Sequence, residues 1–197
     1  MLTAREIELL ENQIFFETKV SATEKLKTLF ESLRENAKLF INPIDLDFPE
    51  GTDFYKGQIA KGENYEGFPY VLLDYPKYFS QKNIFTFRTM CWFGNSWIFS
   101  VIIQGDYLAK AITRFENQFE MLQNLNCGVG VNELWNWKKD GEIILSQIEK
   151  NELIHNVKSS SFLKITKRLP LSILNSEADV LKQFKEFYSA ILPILRR

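Results

Sequence analysis

Cysteine and histidine are nearly missing, two and one among 197 residues. Cys91 lies inside an apolar run and Cys127 beside a glycine, so they offer neither a disulfide framework nor a close pair for zinc, and both read as reduced thiols. One histidine excludes any multi-histidine metal centre within one chain. Its setting, Glu152-Leu-Ile-His155-Asn, holds no partner at the spacing of a catalytic triad, and His155 reads as structural or solvent-facing. Long apolar runs are also lacking: stretches such as Val101 to Ile103 fall far short of the ~20 residues that cross a bilayer. Neither sign of charge prevails. With 24 basic and 25 acidic residues the net charge is -1, which gives no pull toward nucleic acid. Met1 to Asn12 carries Glu6, Glu8 and Glu11 without a basic start and an apolar stretch, so no secretory leader is expected and the cytoplasm is the expected address.

Cofactor fingerprints are lacking in the same way. No Gly-Lys-Ser/Thr tripeptide offers a phosphate loop, and Gly128-Val-Gly130 follows a helical pattern rather than a strand and has no third glycine. That glycine pair reads as a helix cap at Gly128 entering a strand. No cofactor is expected. Asp45, Asp47, Glu50 and Asp53 form the most acidic stretch, but the spacing of a calcium loop is not there, and a solvated loop is the plainer reading.

What the chain does have is apolar and aromatic surface: 45% hydrophobic and 14% aromatic residues against 25% charged. That composition belongs to a soluble globular protein, and the length to a single domain over 1–197. Two helices are predicted in the first forty residues, announced by capping-box patterns at Thr3/Glu6 and Ser21/Glu24, with a turn at Lys19-Val20 that folds them into an antiparallel hairpin. This 1–40 hairpin is either an appendage, a cover for the sheet or a dimerisation element, while 41–197 forms the sheet-and-helix core. In its second helix Leu26, Leu29, Phe30, Leu33, Ala37 and Phe40 share one face.

The glycines and prolines between Ile41 and Gly67 predict turns, with strands near 55–60 and 69–74. Ile84 to Gln104 reads as a β-hairpin about Gly94-Asn95. A two-residue turn there puts Thr86, Arg88, Met90, Trp92, Trp97, Phe99, Val101 and Ile103 on one face, and Phe85, Phe87, Cys91, Phe93, Ile98 and Ile102 on the other. Both faces are mainly apolar, so both need covers. A helix over Tyr107 to Asn124, two short strands after it, a strand at 162–169 and a terminal helix from Ser176, distorted or ended by Pro193, complete the pattern. The expected fold is α+β: a mostly antiparallel sheet centred on the 84–104 hairpin, packed by N-terminal, central and C-terminal helices.

Arg88 interrupts the apolar hairpin, and a buried guanidinium needs a carboxylate or a bound anion. Asp74, ending Pro69-Tyr70-Val-Leu-Leu-Asp74-Tyr75-Pro76, is the internal candidate, which makes a structural ion pair the plainer reading and an anion clamp the functional one. Rings from Tyr65 to Phe79 cap the core, line a pocket or anchor an interface. Lys158, Lys164, Lys167 and Arg168 form the one basic stretch; Lys164, Thr166 and Arg168 share a face and read as an exposed edge guarded by lysines.

With no complete set of acid, base and nucleophile, the leading expectation is a non-catalytic binding or protein-interaction domain whose partner is itself, as a homodimer, or another protein. The runner-up is an enzyme or receptor for a small anionic ligand, with Arg88 as the clamp, Asp74 as the base, and Tyr70 and Tyr75 in contact with the ligand.

Overall fold

Helix α1 (Ala4–Glu11) starts on a formed capping box: the Glu6 N–H donates to the Thr3 hydroxyl, and the Glu6 carboxylate accepts from the Thr3 N–H at 2.6 Å. It ends at Asn12, whose φ of -78° and ψ of 82° are not helical and whose side chain caps Phe15. Helix α2 (Gln13–Phe40) then runs unbroken through Lys19-Val20. The expected antiparallel hairpin is therefore not formed. Thr18 to Thr23 contains neither glycine nor proline, Ser21 sits inside the helix, and the Thr23 hydroxyl donates back to the Lys19 carbonyl. The later part of α2 packs on the body through the buried Leu26, Phe30, Leu33 and Ala37, while the earlier part is tied to it by the Lys19–Glu63 ion pair at 2.5 Å.

The computed structural model describes residues 1–196. Strands β1 (Gln58–Tyr65), β2 (Phe68–Phe79), β3 (Ile84–Trp92), β4 (Ser96–Gln104), β5 (Gly128–Gly130), β6 (Glu142–Ile144) and β7 (Phe162–Leu169) form one antiparallel sheet in the order β1-β2-β3-β4-β7-β5-β6. The fold is α+β as expected, and the hairpin lies at its centre.

The hairpin's turn is longer by one residue than expected. Trp92 pairs with Ser96, leaving Phe93, Gly94 and Asn95 as the loop, with Gly94 at a φ of +70°. A one-residue slip turns every side chain of a strand to the opposite face. Trp97, Phe99, Val101 and Ile103 consequently share a face with Phe85, Phe87 and Cys91, whereas Arg88 stands beside Ser100, with Ile98 and Ile102 on the same side. The correction separates a dry aromatic face from a polar one.

Helices α2, α3 (Leu108–Asn124) and α5 (Glu177–Leu195) cover the aromatic face, and α4 (Lys150–Ser159), which the sequence pattern had not revealed, packs on α3. Phe30 stacks on Trp97 at 5.3 Å, and Phe87 on Tyr188 at 4.6 Å. Gly128 does not cap α3, because it already belongs to β5; the left-handed residue after the helix is Asn126, at a φ of +54°. Pro193 lies within the last turns of α5, which continues to Leu195. His155 is exposed on α4. Among the described residues no helix is long and apolar enough to cross a membrane, and no group of acidic, histidine or cysteine side chains could hold a metal ion.

Candidate functional site

Among the described residues no α-helix lies over the opposite face of the sheet. Register brings Asp74, Arg88, Ser100, Thr166 and Gly128 into line across five strands, with Lys164 beside Ile102 and Arg168 beside Ile98. These polar groups are covered by the connection between β5 and β6, residues 131–141, which lies over the sheet as a strap. Buried backbone must find partners, and along the strap sheet side chains supply them. Lys164 Nζ donates to the carbonyls of Leu134 and Asn136, the Tyr65 hydroxyl donates to that of Trp135, and Arg168 to that of Trp137. Tyr65 also accepts from the Trp137 N–H at 2.8 Å.

Lys164 is thus no exposed edge residue. Strand β7 is interior to the sheet, between β4 and β5, and Lys164 is fully buried. Gly130 makes room for it: a Cβ there would overlap the Lys164 side chain. Burial pulls the lysine down to about 8, with Arg168 and Arg88 adding to the effect and Glu142 opposing it.

Two forked ion pairs flank this lysine. Arg88 donates from Nε and Nη2 to the two oxygens of Asp74 at 2.8 and 2.7 Å, and Thr86 adds a third donor to that carboxylate. Arg168 grips Glu142 in the same way, at 3.0 and 2.7 Å. Bidentate geometry of this kind is the strong form of a charged hydrogen bond. The Arg88 guanidinium also faces the rings of Trp135 at 4.8 Å and Trp137 at 5.5 Å, and Lys164 Nζ lies 4.8 Å from the Trp137 ring.

Between strap and sheet a cavity of about 200 Å³ remains, lined by Tyr65, Tyr70, Leu72, Arg88, Met90, Trp135 and Trp137. Of the residues singled out from sequence, Arg88 and Tyr70 line it directly and Asp74 lies behind Arg88. Tyr75 does not join them. It belongs to the core on the helix side, its hydroxyl donates to the Phe54 carbonyl at 2.7 Å, and burial pushes its phenol up to about 12. Sequence reasoning missed Trp135, Trp137, Lys164, Glu142 and the hydroxyl of Tyr65. The available signal was the Trp-Asn-Trp spacing beside a Lys-x-Thr-x-Arg strand, but only the strand order joins those two segments.

Cys91 and Cys127 are buried thiols pushed up to about 12, which makes them inert as nucleophiles. Chemically, the site can bind. Asp74 has both oxygens committed to Arg88 and Thr86 and is poorly placed to act as a free base. The arrangement defines an antiparallel α+β protein with one helix-covered face and one strapped face. Comparison with family models, with curated proteins and with solved structures returns no match.

Proposed function

We propose that the chain is a non-catalytic protein-interaction module that pairs with a second copy of itself through its first twenty residues. The observation that carries this reading is exposure. Leu2, Ile7, Leu9, Leu10, Ile14, Phe15, Phe16 and Val20 all face solvent, and α1 buries none of its residues. Soluble proteins rarely leave so many large apolar side chains exposed within twenty residues unless another surface covers them.

Charge supports a second copy as the occupant. Lys19 is held by Glu63 of the same chain at 2.5 Å, which leaves the arm with Arg5 among Glu6, Glu8, Glu11 and Glu17, so two arms packed antiparallel can set each Arg5 against the other's carboxylates across an apolar seam. An apolar groove of about 390 Å³ beside the arm, lined by Phe15, Ala22, Phe68, Pro69 and Phe93 among others, extends the same surface.

Sedimentation equilibrium on the full chain tests the reading. A dimer is expected in the micromolar range, and Leu10→Glu with Ile14→Glu should yield a folded monomer with the circular dichroism of the wild type, since neither side chain is buried within the chain, and with an unfolding midpoint that no longer rises with protein concentration. A wild-type chain that stays monomeric at several hundred micromolar, or a double variant that stays dimeric, overturns it.

A further inference from the structure

We infer that the cavity beside Arg88 is a binding site for a small planar carboxylate about one ring in size, its carboxylate on Arg88 Nη1 and its ring against Tyr70 and Trp135. Size is the first argument. An apolar cavity of about 150 Å³ accepts a benzene ring, so the roughly 200 Å³ here takes a ring with one small substituent.

The second argument is a surplus of donors. Arg88 uses Nε and Nη2 on Asp74, and among the described residues Nη1 carries no hydrogen bond, although Arg88 lines the cavity. Nη1 is not among the fully buried polar atoms left without a partner, so part of it stays open to solvent on a residue that lines the cavity. Both Asp74 oxygens are already taken, which leaves no free carboxylate to receive a cationic ligand. A guanidinium held in plane by Asp74 and by the indoles of Trp135 and Trp137 presents its remaining N–H groups in a set direction, at little further cost in side-chain entropy.

The third argument is charge. Among the described residues the ion pairs under the strap join Arg88 to Asp74 and Arg168 to Glu142, and Lys164 meets carbonyls rather than a carboxylate. The buried row therefore carries one more cation than it has carboxylates, a field that favours an anion in the adjoining cavity. The aromatic walls alone would equally suit a quaternary ammonium, and it is this excess positive charge that decides against one.

Benzoate is the probe, with benzyl alcohol and benzyltrimethylammonium as its neutral and cationic counterparts, titrated into the full chain and followed by tryptophan fluorescence and ligand-observed NMR. Saturable binding of benzoate is expected with a Kd below about 1 mM, at least tenfold tighter than either counterpart. Trp135 is 41% exposed, so Trp135→Ala should keep the circular dichroism of the wild type while weakening benzoate about tenfold. Arg88→Lys keeps a charge for Asp74 but loses the fork, and should weaken it at least as much. The Leu10→Glu, Ile14→Glu chain should bind benzoate unchanged, which separates this site from the proposed dimer. No saturation by 10 mM benzoate, equal affinity for benzyltrimethylammonium, or undiminished binding to folded Trp135→Ala would each overturn the assignment.

Discussion

On β3, Phe87 and Arg88 are neighbours that point to opposite sides of the sheet and meet opposite kinds of cover. Phe87 stacks on Tyr188 of α5 within a run of rings that includes Phe99, Phe184 and Phe187. Arg88 meets Asp74 and the indoles of an irregular strap that has no ladder of its own and is tied down carbonyl by carbonyl. Helices satisfy their own backbone and bring mainly apolar side chains to the sheet, with the Tyr188 hydroxyl donating to the Arg88 and Ser100 carbonyls, so hydrophobic burial carries most of that face. A strap carries unmet carbonyls, so the sheet beneath it must carry donors, and buried donors require counter-charges. The polar network is thus a consequence of covering a sheet with loop rather than helix. It also leaves a gap between strap and strands large enough to hold a ligand.

The two faces should therefore fail differently. The largest loss is expected on the helix face: Phe99→Ala removes a fully buried ring in contact with Trp97, Phe184 and Tyr188, and should cost about 3–5 kcal/mol in urea unfolding. On the strap face, Asp74→Leu should cost about 3 kcal/mol by stranding Arg88, whereas Asp74→Leu with Arg88→Met should recover most of it. No second substitution should rescue Phe99→Ala in that way. A double variant as unstable as Asp74→Leu alone would mean that the strap face, too, is limited by packing.

The same contrast explains what could be read from the sequence. The helix face was legible because periodicity reports it: the stripe of α5 from Val180 to Leu195 and the 162–169 strand stand as read, as does, from a local capping signal, the Thr3/Glu6 start of the exposed α1. Local signals failed where chain direction depended on one residue. Asn12 rather than Lys19-Val20 breaks the first helix, and one extra loop residue at Phe93 reversed the faces assigned to β4. The Asp74–Arg88 pair was foreseeable because β2 and β3 are consecutive in the chain and pair in the sheet. Lys164 looked like an edge guard since nothing local places β7 between β4 and β5, and the strap's tryptophans lay in a segment with no regular period. Strand order, a property of long-range pairing, is what assembles the cavity.

The smallest effect sought lies in the titration of Lys164, and it distinguishes a dry strap from a wet one. Burial holds this lysine at about 8 in the folded chain, against roughly 10.4 when unfolded, with Arg88 and Arg168 pushing the same way and Glu142 opposing them. Between those two values the unfolded chain holds a proton that the folded chain has released, so this group makes stability rise with pH over that window. Cys91 and Cys127 act in the other direction. Their thiols stay protonated up to about 12 when folded but ionise near 8.5 when unfolded, so their contribution falls as pH climbs above that point. The wild-type profile mixes both effects, and comparison with Lys164→Met removes the thiols because both chains carry them. From pH 7.5 to 9.5 wild type should gain about 2 kcal/mol relative to Lys164→Met in urea unfolding. A difference that does not change with pH would mean that water reaches Lys164 beneath the strap, and that the charge excess invoked for the cavity is screened.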